Sequence, residues 1–283
     1  MYETIVKEIE QNHYRVHGIE VFRDGHTVFQ HYFDKNMRYP IYSATKSFTS
    51  AAIGLAADDR KLSVDDPLSA YLEKHYLEQI PADRREDFCR LPIRRFLTMS
   101  IPGYPFRPEE PDYMAFSMQC QADYTSAPQF AYSNIPAYLT GVACENAVGT
   151  HLISYLTPRL LEPLGIAHPE YTNCPSGHFY GASGMKLTVR ELRLLGQLFL
   201  QKGVFEGNRI LSENWITEAT KIQIMNREGG YGYYFWKYQD GYRISGKWGQ
   251  RCLIFPSQNL IVTYLSDMPE GSALLSSLIE QIL

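Results

Sequence analysis

The stretch "YPIYSATKSFTSAAIGLAADDRKL", Tyr39 to Leu62, sets Ser43 and Lys46 at the mouth of an apolar segment rich in alanine and glycine, "FTSAAIGLAA". A segment so poor in charge and long enough for several helical turns describes a central helix inside a tightly packed interior. An ammonium is costly to bury unless it is paired or gives up its proton, so a lysine at this place asks for a chemical reason or a solvated one. Residues three apart share one face of a helix, so Ser43 and Lys46 can touch. The positive end of the helix dipole and partial burial both disfavour a charged amine there, which makes Lys46 a candidate to take the Ser43 proton.

The spacing alone is weak evidence. Serine and lysine are each roughly one residue in fifteen, so S-x-x-K arises by chance about once in a chain of this length. A second match exists in "SGMK", Ser183 to Lys186, within a glycine-rich turn. Context separates the two, because only Ser43 precedes an apolar helix whose N-terminus can aim at a cleft.

The whole chain bounds the rest. With 283 residues, 45% of them hydrophobic and 20% charged, it can bury a large core as one big domain or two intertwined lobes. A formal net charge of −4 leaves no electrostatic footprint for nucleic acid or an anionic membrane. The opening "MYETIVKEIEQNHYRV" has acids where an export signal wants bases, and no later run approaches eighteen apolar residues, so a cytoplasmic protein is expected. The five cysteines are scattered and never spaced C-x-x-C, which fits reduced thiols. The eight histidines offer no H-x-H or H-E-x-x-H spacing, and no metal is expected.

Along the chain, Ile5 and Ile9 lie one turn apart in "YETIVKEIEQN", as in an amphipathic helix that packs on a sheet. "HGIEVFRDGHTVFQHYF" reads as two strands joined at Asp24-Gly25. A run of short helical patterns broken by prolines follows, from "SVDDPLSAYLEKHY" through "PIRRFLTMS" to "PAYLTGVACENAVGTHLISYLTPRLLEPLG". "KLTVRELRLLGQLFLQKG" is a further helix with Thr188 as its N-cap and Gly203 past its end. "GYGYYFWKYQ", "GYRISGKWGQRCLIFPS" and "NLIVTYLSD" read as antiparallel strands, and "SALLSSLIEQIL" as a closing helix. The fold class is therefore α/β of the α+β type. An antiparallel sheet is built from both chain ends (1–60 and 181–283), and an all-helical lobe (61–180) is inserted between its halves.

Two further motifs stand in order after Ser43: Tyr132-Ser133-Asn134 in "QFAYSNIPAYLTG", and Lys247-Trp248-Gly249 in "ISGKWGQ" on a strand near the C-terminus. Each alone has a plainer explanation: a packing tyrosine, a helix-cap asparagine, a solvated strand lysine. Another Y-x-N, Tyr171 to Asn173, precedes Ser183 and so pairs with it in the wrong order. The order S-x-x-K, Y-x-N, K-x-G resembles the serine penicillin-recognising enzymes, in their class C β-lactamase, DD-peptidase and esterase branch. "DDPLSAYL", "LTMSIPGY", "LLEPLGI", "GASGMKLTVRELRLLGQL" and "YGYYFW" extend the likeness over nearly the whole chain.

This resemblance implies a β-lactamase/transpeptidase-like fold and an acyl-enzyme on Ser43. Lys46 and Tyr132 would move protons, with the base shared between them. Lys247 would support the phenolate of Tyr132 and repel the charge of Lys46. Asn134 would face the substrate's amide or ester side chain, Gly249 would let the backbone approach it, and the N–H groups of Ser43 and Gln250 would form the oxyanion hole. The chain departs from the family at Trp248, where penicillin-binding members have threonine or serine to hold a substrate carboxylate. An indole cannot imitate that hydroxyl and narrows the cleft. Strand alternation would set Arg251 on the Lys247 side as a substitute anion anchor. The expected activity is hydrolysis of a small ester or amide without cofactor or metal. A true β-lactamase or DD-peptidase, and an acylatable sensor or scaffold that does not turn over, stand as alternatives.

Overall fold

The computed structural model describes residues 2–268 and Ile279. Helix α1 (Tyr2–Gln11) buries Ile5 and Ile9, as their spacing predicts. Strands β1 (Val16–Arg23) and β2 (His26–Tyr32) pair antiparallel across Asp24-Gly25, and both turn residues have positive φ, 51° and 87°. That is the I′ geometry the Asp-Gly pair announces, since glycine meets no steric cost there. After the central helix α2 (Thr45–Asp58) come short helical pieces and then α3 (Asn134–Val148). Helix α4 (Val189–Leu200) opens on a complete capping box: the Thr188 hydroxyl accepts from the Glu191 N–H, and the Glu191 carboxylate accepts from the Thr188 N–H.

The C-terminal half supplies β3 (Trp236–Tyr238), β4 (Gly241–Gly246), β5 (Gln250–Phe255) and β6 (Leu260–Ser266). The six strands form one antiparallel sheet in the order β2-β1-β6-β5-β4-β3, so the two chain ends meet where β1 pairs with β6. One sheet face packs on α1 through Ile19, Val21, Leu253, Phe255 and Val262. The other carries Ile244, Cys252, Ile254 and Ile261 into the main core with α2, α3 and α4. Every residue of α2 from Thr45 to Ala56 is buried, which explains a segment with no polar face.

Two sequence expectations change. "GYGYYFWKYQ" forms a strand only over Trp236–Tyr238. Its leading part is a loop with Tyr231, Tyr233, Tyr234 and Phe235 buried in the core, and Tyr234 (φ 66°) sends its hydroxyl to Thr140 in α3. Aromatic burial outweighs β-propensity there. "GYRISGKWGQRCLIFPS" is a hairpin rather than one strand, because Trp248 (φ 61°) and Gly249 (φ 84°) are left-handed and reverse the chain. The closing helix expected over 272–283 lies outside the described residues except for Ile279, which is helical and buried.

Candidate active site

The turn Tyr42–Ala44 leads directly into α2 and presents Ser43. Tyr42 stands at φ 48°, a conformation that costs an ordinary residue about 1–3 kcal/mol and persists only where the surroundings over-determine it. They do. Ile41 N–H donates to the Met185 carbonyl (3.0 Å), Tyr39-Pro40 pairs with Lys186-Leu187, and the Thr49 hydroxyl donates to the Gly181 carbonyl (2.7 Å). On the other side the end of β4 presses against the turn, since a Cβ on Gly246 would stand 2.2 Å from the Ile41 carbonyl oxygen. Glycine is the residue that permits this approach.

Lys46 is 1% exposed. Its Nζ lies 3.0 Å from Ser43 Oγ, 2.7 Å from Asn134 Oδ1 and 2.8 Å from the Ala182 carbonyl oxygen. Burial, with no carboxylate to offset it, holds this amine well below the ordinary lysine range. A neutral amine has two N–H donors and one lone pair. Asn134 and Ala182 offer only acceptors toward Nζ, so they take both donors and leave the lone pair for the Ser43 hydroxyl.

Tyr132 lies across from the pair, with its ring centroid 5.0 Å from Lys46 Nζ. Burial raises its phenol to about 12, and a hydrogen bond with Ser43 offsets part of that rise. Lys247, expected to support this phenol as a phenolate, is exposed, with its Nζ 4.6 Å from the Trp248 ring centroid, and burial is the largest influence on Tyr132. Asn134, at the first turn of α3, is held by its neighbour's cap: Ser133 Oγ accepts from the Ile135 N–H and donates to the Pro105 carbonyl. The Asn134 amide also bonds to Tyr180, so a second tyrosine joins the network. Tyr180 and Ala182 escaped sequence reasoning, although the Gly-rich "YGASG" that carries them was a visible signal.

Gly249 and Gln250 close the β4–β5 turn. The buried Gln250 side chain donates to the carbonyls of Lys247 (3.1 Å) and Ser266 (2.5 Å), and Ser266 Oγ donates to the Trp248 carbonyl (2.7 Å), so the hairpin is pinned to the end of β6. Trp248 packs edge-on against Tyr42, the residue that precedes Ser43, at 5.2 Å. Its indole also lines a recess of about 220 Å³ with His17, Tyr39 and Asp267. Arg251 does not join the site. It shares a strand face with Leu253 and Phe255, whose side chains pack toward α1, and its guanidinium donates to the carbonyls of Gly246 (2.6 Å) and Gln250 (3.0 Å). The expectation that it shares a side with Lys247 fails because Lys247 sits in the turn, outside the strand's alternation.

The second S-x-x-K is not assembled as a pair. Lys186 reaches Glu170 at 3.2 Å, and Asn173 of the second Y-x-N bonds His151. Around Tyr132 the structure collects aromatic rings that sequence reasoning did not place at the site: Trp236 at 5.5 Å, Tyr231 at 6.4 Å, and Phe106 and Phe130 at 6.5 Å.

A family model described as Beta-lactamase matches residues 4–273. A "Beta-lactamase" of Pseudomonas fluorescens is 27% identical over 139 residues, 47% of this chain and 37% of that protein's length. Among solved structures, a penicillin-binding protein from Bacillus halodurans aligns over 100% of both chains at 19% identity and TM-score 0.75. A class C β-lactamase aligns over 99% of this chain and 94% of its own at 14% identity and TM-score 0.75. A protein assigned as a 6-aminohexanoate-dimer hydrolase from Bacillus anthracis covers 98% of this chain and 80% of its own at 18% identity, with TM-score 0.78. These solved structures share the mixed sheet-and-helix fold described above.

Proposed function

The chain belongs to the Beta-lactamase family, and from that premise we propose that it is a serine hydrolase that forms an acyl-enzyme on Ser43 and cleaves a small ester or amide. The observation that carries this reading is the Lys46 amine, buried without a counter-charge 3.0 Å from Ser43 Oγ while its two donors are occupied. Lys46 takes the Ser43 proton as Oγ attacks the carbonyl. Tyr132, protonated at neutral pH because its phenol lies near 12, passes a proton to the leaving group. Water then releases the acyl group by the reverse traffic. The N–H groups of Ser43 and Gln250 serve as oxyanion donors. Esters or neutral amides suit the site better than a β-lactam carboxylate, because Arg251 is committed to backbone carbonyls and an indole stands at the middle of K-x-G.

The test is mass spectrometry of protein mixed with a short-chain aryl ester, alongside steady-state turnover of that ester and of a chromogenic cephalosporin. Ester turnover with a transient adduct on Ser43 is expected, lost in Ser43→Ala and retained in Ser183→Ala. Equal losses in the two variants would mean that the wrong S-x-x-K carries the chemistry. Rapid cephalosporin turnover without esterase activity would make the protein a β-lactamase, and a persistent adduct without turnover would make it a sensor.

A further inference from the structure

The rings gathered at Tyr132 are unevenly covered. Tyr231 is 1% exposed and serves as floor, Phe130 and Trp236 are half-buried, and Phe106 is 60% exposed. Trp236 links the group, lying 5.7 Å from Phe130 and 4.8 Å from Tyr231. Phe106 is not on a free segment. Its carbonyl accepts from the Asn134 N–H at 2.8 Å and the preceding Pro105 carbonyl accepts from Ser133, so the residues flanking Phe106 are fixed to those flanking Tyr132. A large aromatic side chain thus stands in solvent beside the proton-carrying tyrosine, on backbone the site itself holds. Of the cations near this side, Arg107, next to Phe106 in the chain, acts on Tyr180, and Arg243, 5.8 Å from the Trp236 ring, is paired with Glu228.

We infer that Phe106, Phe130 and Trp236 form, with Tyr132, a subsite for an uncharged apolar leaving group, an aromatic or long-chain alcohol or amine. The assignment to the leaving-group side rests on the hydrolase reading above, in which Tyr132 protonates the departing atom. Rings offset or edge-on at 4.5–7 Å give an inserted aromatic group the arrangements such rings prefer, and an apolar chain gains by covering surface that water now wets.

Two pairs of esters separate the possibilities: ethyl and 3-phenylpropyl propanoate, which differ in the alcohol, and ethyl propanoate and ethyl 4-phenylbutanoate, which differ in the acid. The wild type is expected to prefer the 3-phenylpropyl ester in kcat/KM. Phe106→Ala, a change at an exposed side chain, should lower that preference about tenfold, which corresponds to ~1.4 kcal/mol, while the preference between the two acids is unmoved. Trp236→Ala should act in the same direction. An alcohol preference that is absent from the wild type or survives Phe106→Ala overturns the subsite, and a fall confined to the acid pair overturns its assignment to the leaving group. If no ester is turned over, the hydrolase reading has failed, and the subsite is judged by calorimetric titration with 3-phenylpropanol. Binding weakened several-fold by Phe106→Ala then upholds the apolar site, whereas equal affinity rejects it.

Discussion

Lys46 has nowhere to place a charge. Its three polar neighbours are a hydroxyl, an amide oxygen and a backbone carbonyl, and burial depresses its proton affinity. Below its folded-state pKa the amine is protonated in both states and carries its full burial penalty. Between that value and the ordinary lysine range near 10.5, the unfolded chain holds a proton that the folded chain lacks, so this group makes stability rise with pH. Lys46→Met removes the titration. The melting temperature of the wild type relative to this variant should therefore climb as pH is raised from 7 to 9.5, read by calorimetry, and a flat difference would show that Lys46 is not buried neutral. Acylation should follow the same ionisation, rising with pH as the amine loses its proton and declining only near the Tyr132 phenol at about 12. In Lys46→Met the rate should drop by about a hundredfold or more at every pH.

Two helix glycines that look alike in the sequence differ in their surroundings. Gly54 in α2 faces Trp215, and a Cβ there would stand 2.5 Å from the indole, which is itself 5% exposed and has little room to move. Gly54→Ala should cost about 1–3 kcal/mol through overpacking. Gly141 in α3 has ordinary contacts for a Cβ, the nearest atoms being 3.9 Å away at Gly181, Leu152 and Thr49. Gly141→Ala should gain about 0.5–1 kcal/mol from the helix preference of alanine. Urea denaturation of the two variants checks both signs, and the same sign in both would mean that helix propensity outweighs packing. The local rule that disfavours glycine inside a helix is thus obeyed at one site and overruled at the other by the element packed against it.

Across the molecule, the first hairpin is joined to the C-terminal half by more than the β1–β6 ladder. Glu20 of β1 and Arg193 of α4 form an ion pair of 3.0 Å, with the side chains 2% and 5% exposed, and Thr27 of β2 donates to the same carboxylate. The Arg193 guanidinium also lies 4.9 Å from the Phe22 ring. Removing one member leaves a buried charge without its partner, so Glu20→Ala and Arg193→Ala should each destabilise by about 3–5 kcal/mol, and the double variant by much less than their sum. A double-mutant cycle measured by denaturant unfolding reads the coupling. Additive losses would mean that the pair contributes packing rather than charge compensation.

The order of elements, the Asp24-Gly25 hairpin, the Thr188 cap, the burial of α2 and the Ser43–Lys46 contact were all legible in the sequence. Each rests on residues close along the chain, where helical spacing, turn chemistry and apolar runs act directly. Tertiary structure decided which charges meet. Lys247 lies over Trp248 and Arg251 on backbone carbonyls because two successive left-handed residues, Trp248 and Gly249, turn an expected strand into a hairpin. It also decided the proton affinities of Lys46 and Tyr132, since burial, which depends on the entire core, moves the amine down and the phenol up. Tyr180, Ala182, Phe106, Tyr231 and Trp236 come from segments distant in sequence from Tyr132, and only the packing of α2, α3 and the sheet makes them neighbours.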